Sequence, residues 1–223
     1  MGDQLLRQGL LRLGFQATPP QLQAFELYLS ELLRWGARVN LTGFRTEEMI
    51  VREGFLGSLS YRAAFEPSPE LRAVDIGSGA GFPGLVLKIC YPEMDMLLVE
   101  AARRRVTFLR SLIRQIGLVG VRCLHARAEQ LQGEPEHRGQ YRLAFARAVG
   151  PLPEVIALAE PLLAPGGRLM LQVGRKTAET LDEARPHLAE LGLQAALLTS
   201  PVADPKAPPT QLLVVEKPSD FAR

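Results

Sequence analysis

A glycine-rich segment behind the first β-rich run carries the strongest chemical signal in the chain. Residues 74–84 read Val-Asp-Ile-Gly-Ser-Gly-Ala-Gly-Phe-Pro-Gly. Glycines at such a turn let the backbone adopt positive φ angles and let a ligand touch the main chain. A helix that begins near Phe82 and Pro83 would present free N–H groups to polar ligand atoms. The segment therefore predicts a ligand-binding loop at the end of a strand.

Two ligands compete for this loop. The dinucleotide pattern G-x-G-x-x-G is matched by residues 79–84, but that pattern should begin directly at the strand end. The frame that does begin there has its glycines at Gly77, Gly79 and Gly81. Pro83 removes an N–H that a pyrophosphate would use. Asp75 places a carboxylate beneath the loop, which would repel pyrophosphate but suits the ammonium group of S-adenosylmethionine. We therefore favour S-adenosylmethionine over a dinucleotide or a purely structural turn.

Residues behind the next two strands fit an adenosine ligand. Glu100 ends the second strand, where a carboxylate can hold both ribose hydroxyls. Its alternative role is to cap the helix that follows. Ala101, the next residue, is assigned to the same site. After the third strand, backbone groups of Ala128 and Glu129 can read the adenine ring, or they form only a short capped turn.

Strand-like and helix-like segments alternate after residue 70. The predicted strands cover residues 71–76, 95–100, 120–125, 141–147, 167–173, 193–200 and 210–217. The predicted helices cover residues 82–90, 103–117, 152–163 and 176–191. Such alternation predicts an α/β fold with a parallel sheet between helices. Seven strands ending in an antiparallel hairpin are typical of the Rossmann-like class I methyltransferases.

The first part of the chain has a different, purely helical pattern. Leucines recur at helical spacing before Gly14, and Thr18 followed by Pro19 signals the start of a second helix. A third helix is predicted over residues 46–64. Prolines at Pro67 and Pro69 then mark a boundary. We expect a helical extension over residues 1–66 and a methyltransferase domain over residues 67–223.

Composition limits the remaining possibilities. The chain has 223 residues, 47% of them hydrophobic, and a net charge of +2, which suits a globular protein and neither demands nor excludes a nucleic-acid partner. Cys90 and Cys123 lie in apolar runs without metal-ligand spacing, so we predict buried thiols and no metal site. The N-terminus does not resemble a signal peptide, and no apolar run is long enough to span a membrane. We expect a cytoplasmic monomer.

Arginines are concentrated on the helix predicted after the second strand. They are Arg103, Arg104, Arg105, Arg110 and Arg114. Arginine suits phosphate groups because it binds them in a bidentate manner. The arrangement is consistent with a folded RNA substrate, although by itself a charged helical face is more often ordinary solvated surface.

Nearly the whole chain resembles the bacterial 16S ribosomal RNA guanine-N7 methyltransferases, the RsmG/GidB family. The segments that carry the resemblance are Trp35 with residues 39–42, then 75–84, 104–109, 127–129 and 146–148. The resemblance implies methyl transfer to N7 of a guanine in 16S rRNA or the small ribosomal subunit. It also implies that Gly77, Phe82, the Ala128–Glu129 pair and Arg147 line the cofactor site.

Methylation at N7 needs no catalytic base, because that nitrogen has a free lone pair and no proton to lose. We therefore assign no catalytic residue. Arg147, at the end of the fourth strand, is placed as a positioning residue. It can orient the carboxylate of the donor, contact the guanine or its phosphate, or form a structural ion pair.

The chain departs from the family pattern at four positions. Gly57 stands where the family has an aspartate, and Gly54 stands near its histidine. Val173 replaces a lysine at the end of the fifth strand, and Gln211 replaces a basic residue in the last strand. These departures leave two alternatives open: a different RNA or small-molecule acceptor, or an RNA-binding module without catalysis.

Overall fold

Within the described residues, which are 2–37, 39–173, 177–203 and 209–219, the computed structural model has a seven-stranded sheet at its centre. The strands are β1 (Arg72–Ile76), β2 (Asp95–Glu100), β3 (Val121–His125), β4 (Tyr141–Ala146), β5 (Leu163–Val173), β6 (Gln194–Thr199) and β7 (Gln211–Glu216). Their order across the sheet is β3-β2-β1-β4-β5-β7-β6. Strands β1 to β5 are parallel, and β7 lies antiparallel between β5 and β6. This confirms the predicted mostly parallel sheet with a terminal hairpin.

Helices cover both faces of the sheet. The α-helices are α1 (Gly2–Arg12), α2 (Pro19–Gly36), α3 (Glu47–Met49), α4 (Gly57–Leu59), α5 (Gly84–Cys90), α6 (Arg103–Ile116), α7 (Ala128–Leu131), α8 (Leu152–Ala159) and α9 (Thr177–Glu190). A π-helical stretch, Ile50–Leu56, joins α3 to α4, and a 3-10 turn, Ser60–Ala64, follows α4, so that 47–64 is one helical segment. That segment corresponds to the predicted third helix. Residue 176, the first of the predicted helix over 176–191, lies outside the described residues.

One predicted helix is wrong at its carboxyl end. The pattern predicts helix over 152–163, but α8 ends at Ala159, a 3-10 turn follows and Leu163 already begins β5. Pro161 has no N–H with which to continue the helical ladder. The carbonyl of Ala157 instead accepts a hydrogen bond from Gln132 Nε2 at 2.9 Å. The side chain of Gln132, at the end of α7, therefore supplies the hydrogen bond that Pro161 cannot donate.

The start of α2 is fastened directly to the sheet domain. Thr18 is its N-cap with an extended backbone, and Pro19 occupies the first helical position, as predicted. Gln21 Oε1 accepts from the Thr18 N–H at 2.9 Å. The Nε2 of the same side chain donates to the carbonyls of Ile89 and Cys90 at 3.0 and 3.1 Å. One glutamine thus caps α2 and joins it to the end of α5.

The hydrophobic core has two layers, one on each face of the sheet. Buried side chains of α1, α2 and segment 47–64 share one cluster with α5, α6 and the near sheet face. The second cluster contains α7, α8, α9 and the opposite face. Tyr28 and Phe55, both fully buried, show how deeply the N-terminal helices enter the first cluster. The proposed division of the chain at residues 66 and 67 stays a prediction.

The two cysteines are free thiols on the first of these layers. Cys90 is buried and Cys123 is half-buried. Burial raises the pKa of the Cys123 thiol to about 11 and raises that of Cys90 as well. Both thiols are therefore protonated, unreactive members of the core.

A buried carboxylate joins α2 to α6, and its removal should destabilise the fold. Glu31, 7% exposed, accepts hydrogen bonds from Arg34, from Trp35 Nε1 at 3.2 Å and from Gln115 Nε2 at 3.3 Å. The hydrogen bond from Arg34 is the main reason why the pKa of Glu31 is lowered. We expect Glu31→Gln to lower the free energy of unfolding at pH 7 by about 1–2 kcal/mol, measured by urea denaturation.

The pH dependence follows from the lowered pKa of Glu31. Its contribution is present above the ordinary carboxyl pKa and is lost as the pH falls through the lowered value. The difference between wild type and Glu31→Gln should therefore shrink in acid. Glu26→Gln, an exposed change in the same helix, is the control. Equal stability of wild type and Glu31→Gln at pH 7 would contradict this prediction.

Candidate active site at the carboxyl edge of the sheet

The glycine loop lies directly behind β1 and is held from two sides. Gly77, Gly79 and Gly81 all have positive φ angles, of 67°, 57° and 98°, which L side chains rarely adopt. The Ser78 N–H donates to the carbonyl of Val99 in β2 at 3.0 Å. From α2, Tyr28 Oη donates to the carbonyl of Ala80 at 2.6 Å. The loop therefore has a fixed backbone before any ligand arrives.

Glycine is required at two of these positions for a second reason. A Cβ on Gly81 would lie 2.4 Å from Tyr28 Oη, and one on Gly77 would lie 3.0 Å from Val149 Cγ2. At Gly79 the nearest atom to such a Cβ is the carbonyl oxygen of Gly77, at 3.7 Å. Gly81 is thus packed against α2, whereas the main chain at Gly79 is open.

Asp75 lies beneath this loop and is fully buried. Its Oδ2 accepts from the Gly84 N–H, at the start of α5, at 3.0 Å. Its Oδ1 is also buried and has no hydrogen-bond partner among the described residues. Burial is the largest cause that raises the pKa of Asp75 to about 7. One oxygen of this carboxyl group therefore holds the start of α5, and the other can accept a hydrogen bond from a ligand.

Glu100 connects the loops behind β1 and β2. Its Oε2 accepts from the Gly79 N–H at 2.8 Å, and its Oε1 accepts from the Ala102 N–H at 2.7 Å. Ala102 is the N-cap residue of α6, so the carboxylate does stabilise the start of that helix. Each oxygen has a second lone pair, so the same side chain can also accept from a ligand. Ala101 lies in the exposed turn between Glu100 and Ala102, and its carbonyl contacts His125 Nε2 at 3.0 Å.

Ala128 and Glu129 form the first turn of α7, behind β3. The preceding Arg127 has an extended backbone, and its N–H donates to Gln130 Oε1 at 2.8 Å. This is the short capped turn that the sequence left as an alternative. The N–H groups of a first helical turn have no partner within the helix, so a capped turn and a ligand contact are compatible.

Arg147 follows the last residue of β4 and faces segment 47–64. Its Nη1 donates to the carbonyl of Glu53 at 2.7 Å, and its Cζ lies 5.4 Å from the ring centroid of Phe44. Burial lowers the pKa of this guanidinium. The hydrogen-bond acceptor is a backbone carbonyl, so this contact is not the structural ion pair considered from the sequence.

Two of the four departures from the family pattern lie against predicted site residues. A Cβ on Gly54 would lie 2.7 Å from the Phe82 ring, so glycine makes room for that ring. A Cβ on Gly57 would lie 3.8 Å from both Nη atoms of Arg147. The absence of a side chain at Gly57 therefore leaves one side of the guanidinium uncovered.

The other two departures are neighbours in the sheet. Val173 and Gln211 are register partners in the antiparallel pair of β5 and β7. Neither contacts the glycine loop through a hydrogen bond among the described residues. The sequence treated them as separate changes, whereas the structure places them side by side.

All predicted site residues lie at, or directly beyond, the carboxyl ends of four neighbouring parallel strands. Asp75 and Glu100 lie at the ends of β1 and β2, and Arg147 follows β4. The residues beyond β1, β2 and β3 are Gly77, Gly79, Gly81, Phe82, Ala101, Ala128 and Glu129. Sequence reasoning missed Tyr28, which holds the loop, and Tyr61, whose Oη donates to the Ala146 carbonyl at 3.1 Å. No signal distinguished these tyrosines from ordinary core residues, because both lie in helical apolar patterns.

The family model described as rRNA small subunit methyltransferase G matches residues 21–203. The chain belongs to this family. A ribosomal RNA small subunit methyltransferase G from Chloroflexus aggregans is 36% identical over 225 residues, which cover 99% of this chain and 94% of the relative. One from a Roseiflexus species is 38% identical over 92% of this chain and 86% of the relative. The resemblance deduced from the sequence is thereby confirmed.

Solved structures agree on the fold of this methyltransferase G family member. A Corynebacterium glutamicum protein aligns with a TM-score of 0.59 at 20% identity, over 93% of this chain and 94% of that one. An S-adenosylmethionine-dependent O-methyltransferase from Thermotoga maritima aligns with a TM-score of 0.52 at 16% identity, over 75% and 66%. The class I methyltransferase fold is confirmed.

Family membership also confirms the predicted enzyme class and methyl donor. The protein is an S-adenosylmethionine-dependent rRNA methyltransferase, and its substrate is small-subunit rRNA. Among the described residues no helix is long and apolar enough to cross a membrane. The same part of the chain contains no cluster of three potential metal ligands.

Proposed function

We propose that this protein transfers the methyl group of S-adenosylmethionine to N7 of one guanine in 16S rRNA. The observation that carries the proposal is the contact between Glu100 and the Gly79 N–H. It joins a ribose-binding carboxylate to an open glycine loop in a chain of the methyltransferase G family. Four arginines of α6 are exposed and suit an RNA backbone. They are Arg103, Arg104, Arg110 and Arg114, on the helix that begins behind this site.

The residues present fit the donor. The buried, unpartnered Asp75 Oδ1 suits the ammonium group, the open main chain around Gly79 suits the methionine portion, and Glu100 suits the ribose hydroxyls. The first turn of α7, with Ala128 and Glu129, would contact the adenine edge. When bound, the donor supplies an electrophilic methyl group on a sulfonium sulfur.

The chain's own part in the reaction is positioning. The lone pair of guanine N7 attacks the methyl carbon without loss of a proton, so no side chain must act as a base. Rate acceleration then comes from holding the two reactants in line in a fixed site. Arg147, fixed by Glu53 and Phe44, is the side chain best placed to orient the acceptor.

Donor binding should release a proton at neutral pH. In the free protein burial raises the pKa of Asp75 to about 7, so a large fraction of this carboxyl group is protonated at pH 7. A cation next to it favours the ionised form and lowers the pKa. We expect release of about half a proton per donor bound at pH 7, and weaker donor binding as the pH falls below 7.

Calorimetry in buffers of different ionisation enthalpy measures this proton release. Asp75→Asn, which cannot ionise, is the matched variant, and its donor binding should show no linked proton from this site. The observed enthalpy of the wild type would be independent of the buffer if Asp75 did not face the donor, and that result would refute this assignment.

The oligomeric state and the cellular location form a separate part of the proposal. We also propose that it acts as a monomer in the cytoplasm, where ribosomal subunits are assembled. Analytical ultracentrifugation at micromolar concentration should give one species near the chain mass of 24.5 kDa. A stable dimer would contradict this part of the proposal.

Transfer of label tests the acceptor class. The purified protein is incubated with donor labelled in the methyl group and with immature small subunits from a strain that lacks the modification. Label should enter 16S rRNA and should not enter subunits that already carry the methyl group. If no label entered 16S rRNA although calorimetry showed donor binding, the proposed acceptor would be wrong.

A further inference from the structure

Gln172 has a buried side-chain oxygen without a partner. Its Oε1 is shielded from solvent and accepts no hydrogen bond from any described residue. The backbone of the same residue is satisfied, because its N–H donates to Tyr61 Oη at 2.9 Å. Buried carbonyl oxygens are costly to leave unpaired. Gln172 lies near the carboxyl end of β5, at the same edge of the sheet as the site. Its unpaired oxygen therefore suggests that a ligand supplies the missing hydrogen-bond donor.

Gln172 in β5 lies close to the point at which the chain leaves β4 and continues into Arg147. Ala146 in β4 is in register with Leu171 in β5, so the next residue of each strand lies beyond this last pair. Adjacent strands are about 4.8 Å apart. Tyr61 fixes the two positions, since its Oη contacts both the Ala146 carbonyl and the Gln172 N–H. The backbone positions of the two residues that carry a buried acceptor and a cationic donor are thus adjacent.

The guanidinium of Arg147 has donors to spare. It carries five N–H groups, and among the described residues only the Glu53 carbonyl accepts a hydrogen bond from one of them. Gly57 places no side chain against the two Nη atoms. The half-buried Phe44 ring lies against the guanidinium, and aromatic rings of this kind stack on unpaired RNA bases. The position combines a hydrogen-bond donor, an acceptor and a stacking surface.

Guanine is the base that matches a donor beside an acceptor. It presents O6 as an acceptor and its 2-amino group as a donor. Adenine presents an amino group where guanine has O6, and that group would face the N–H groups of Arg147. Contacts through O6 and the 2-amino group also leave N7 free to receive the methyl group.

We propose that Arg147 and Gln172 together recognise the acceptor guanine, with Arg147 donating to O6 and Gln172 Oε1 accepting from the 2-amino group. The inference rests on the proposed function, because it concerns the base that this function methylates. It assigns Gln172 a specificity role that no sequence pattern indicates.

Inosine, which lacks only the 2-amino group of guanine, provides the test. A 16S rRNA fragment is prepared by ligation with guanine or inosine at the nucleotide that mass mapping identifies as methylated, and both forms are assembled into small subunits. We expect wild type to have a kcat/KM about tenfold higher for guanine than for inosine. In Gln172→Met, similar in size but without a strong acceptor, the ratio should fall to about one.

Two further variants serve as controls for Gln172→Met. Gln172→Glu keeps an acceptor oxygen and should retain the preference for guanine. Gln194→Met, an exposed change at the far end of β6, should behave as wild type. Donor affinity, measured by calorimetry, should be the same in every variant, which shows that the effect concerns the acceptor.

Two results would overturn the role of Gln172, and a third would overturn the proposed function. Equal rates on guanine and inosine in wild type would overturn the inference even if Gln172→Met failed to fold. An unchanged tenfold preference in a folded Gln172→Met would overturn it as well. If wild type methylated neither form, the proposed function itself would be wrong, and this inference would fall with it.

Discussion

Replacing Gly79 with arginine will abolish donor binding while the protein stays folded. The φ angle of +57° at this position makes any side chain unfavourable, by about 1–2 kcal/mol. The loss of donor binding should be larger than this cost to folding. The new side chain starts from the open main chain at Gly79 and would occupy the space where the donor is expected. It would also disturb the hydrogen bond from the Gly79 N–H to Glu100. We expect donor affinity to fall by at least about 100-fold in calorimetry.

Gly139→Arg is the matched control for this change. Gly139 also has a positive φ, of 65°, and a Cβ there would meet nothing within 4 Å. It precedes β4, so it lies at the opposite edge of the sheet. Backbone strain is therefore similar in both variants, and only Gly79→Arg should lose the donor. Normal donor affinity in Gly79→Arg would show that the glycine loop does not form the donor site.

Replacing Arg147 with methionine should lower methyl transfer to RNA by about 100-fold, which corresponds to about 2.7 kcal/mol. The expected loss is large because a charged donor in a partly buried site makes stronger hydrogen bonds than a neutral one. Donor affinity should change by less than about threefold, because the contacts of the guanidinium are with the Glu53 carbonyl and the Phe44 ring. Steady-state kinetics with small subunits, together with calorimetry, measures both quantities.

Arg142→Met separates this role from a general effect of charge. Arg142 lies near the start of β4, the strand that Arg147 follows, is exposed and donates to the Pro165 carbonyl at 2.7 Å near the opposite edge. Its loss should leave methyl transfer unchanged. A parallel fall in donor affinity and turnover in Arg147→Met would instead assign Arg147 to the carboxylate of the donor, which was one of the alternatives open from the sequence.

The predictable parts of the structure were those that depend on local chemistry. The frame of Gly77, Gly79 and Gly81 could be recognised because positive φ angles restrict the residue type at each position. The strands could be recognised because apolar runs alternate with helical periods. The end of α8 could not, because the residues before Leu163 continue the helical pattern and only Pro161 argues against it.

Contacts between distant segments were not visible in the sequence. The hydrogen bond from Tyr28 to the glycine loop joins residues 52 positions apart, and nothing in a helical apolar pattern marks that tyrosine. Gln172 resembles any polar residue near a strand end, and only its buried, unpaired oxygen distinguishes it. Gly54 and Gly57 were interpreted as departures, whereas their positions against Phe82 and Arg147 show what each glycine allows.

The most direct test of the central claim is to identify the atom that is methylated. Small subunits treated with the protein and donor are digested, and the modified nucleoside is identified by mass spectrometry and by the chain cleavage that N7-methylguanosine permits. We predict a single N7-methylguanosine in 16S rRNA, lost with Gly79→Arg and retained with Gly139→Arg. A methyl group on another atom or base, or no methyl group in 16S rRNA, would contradict the account.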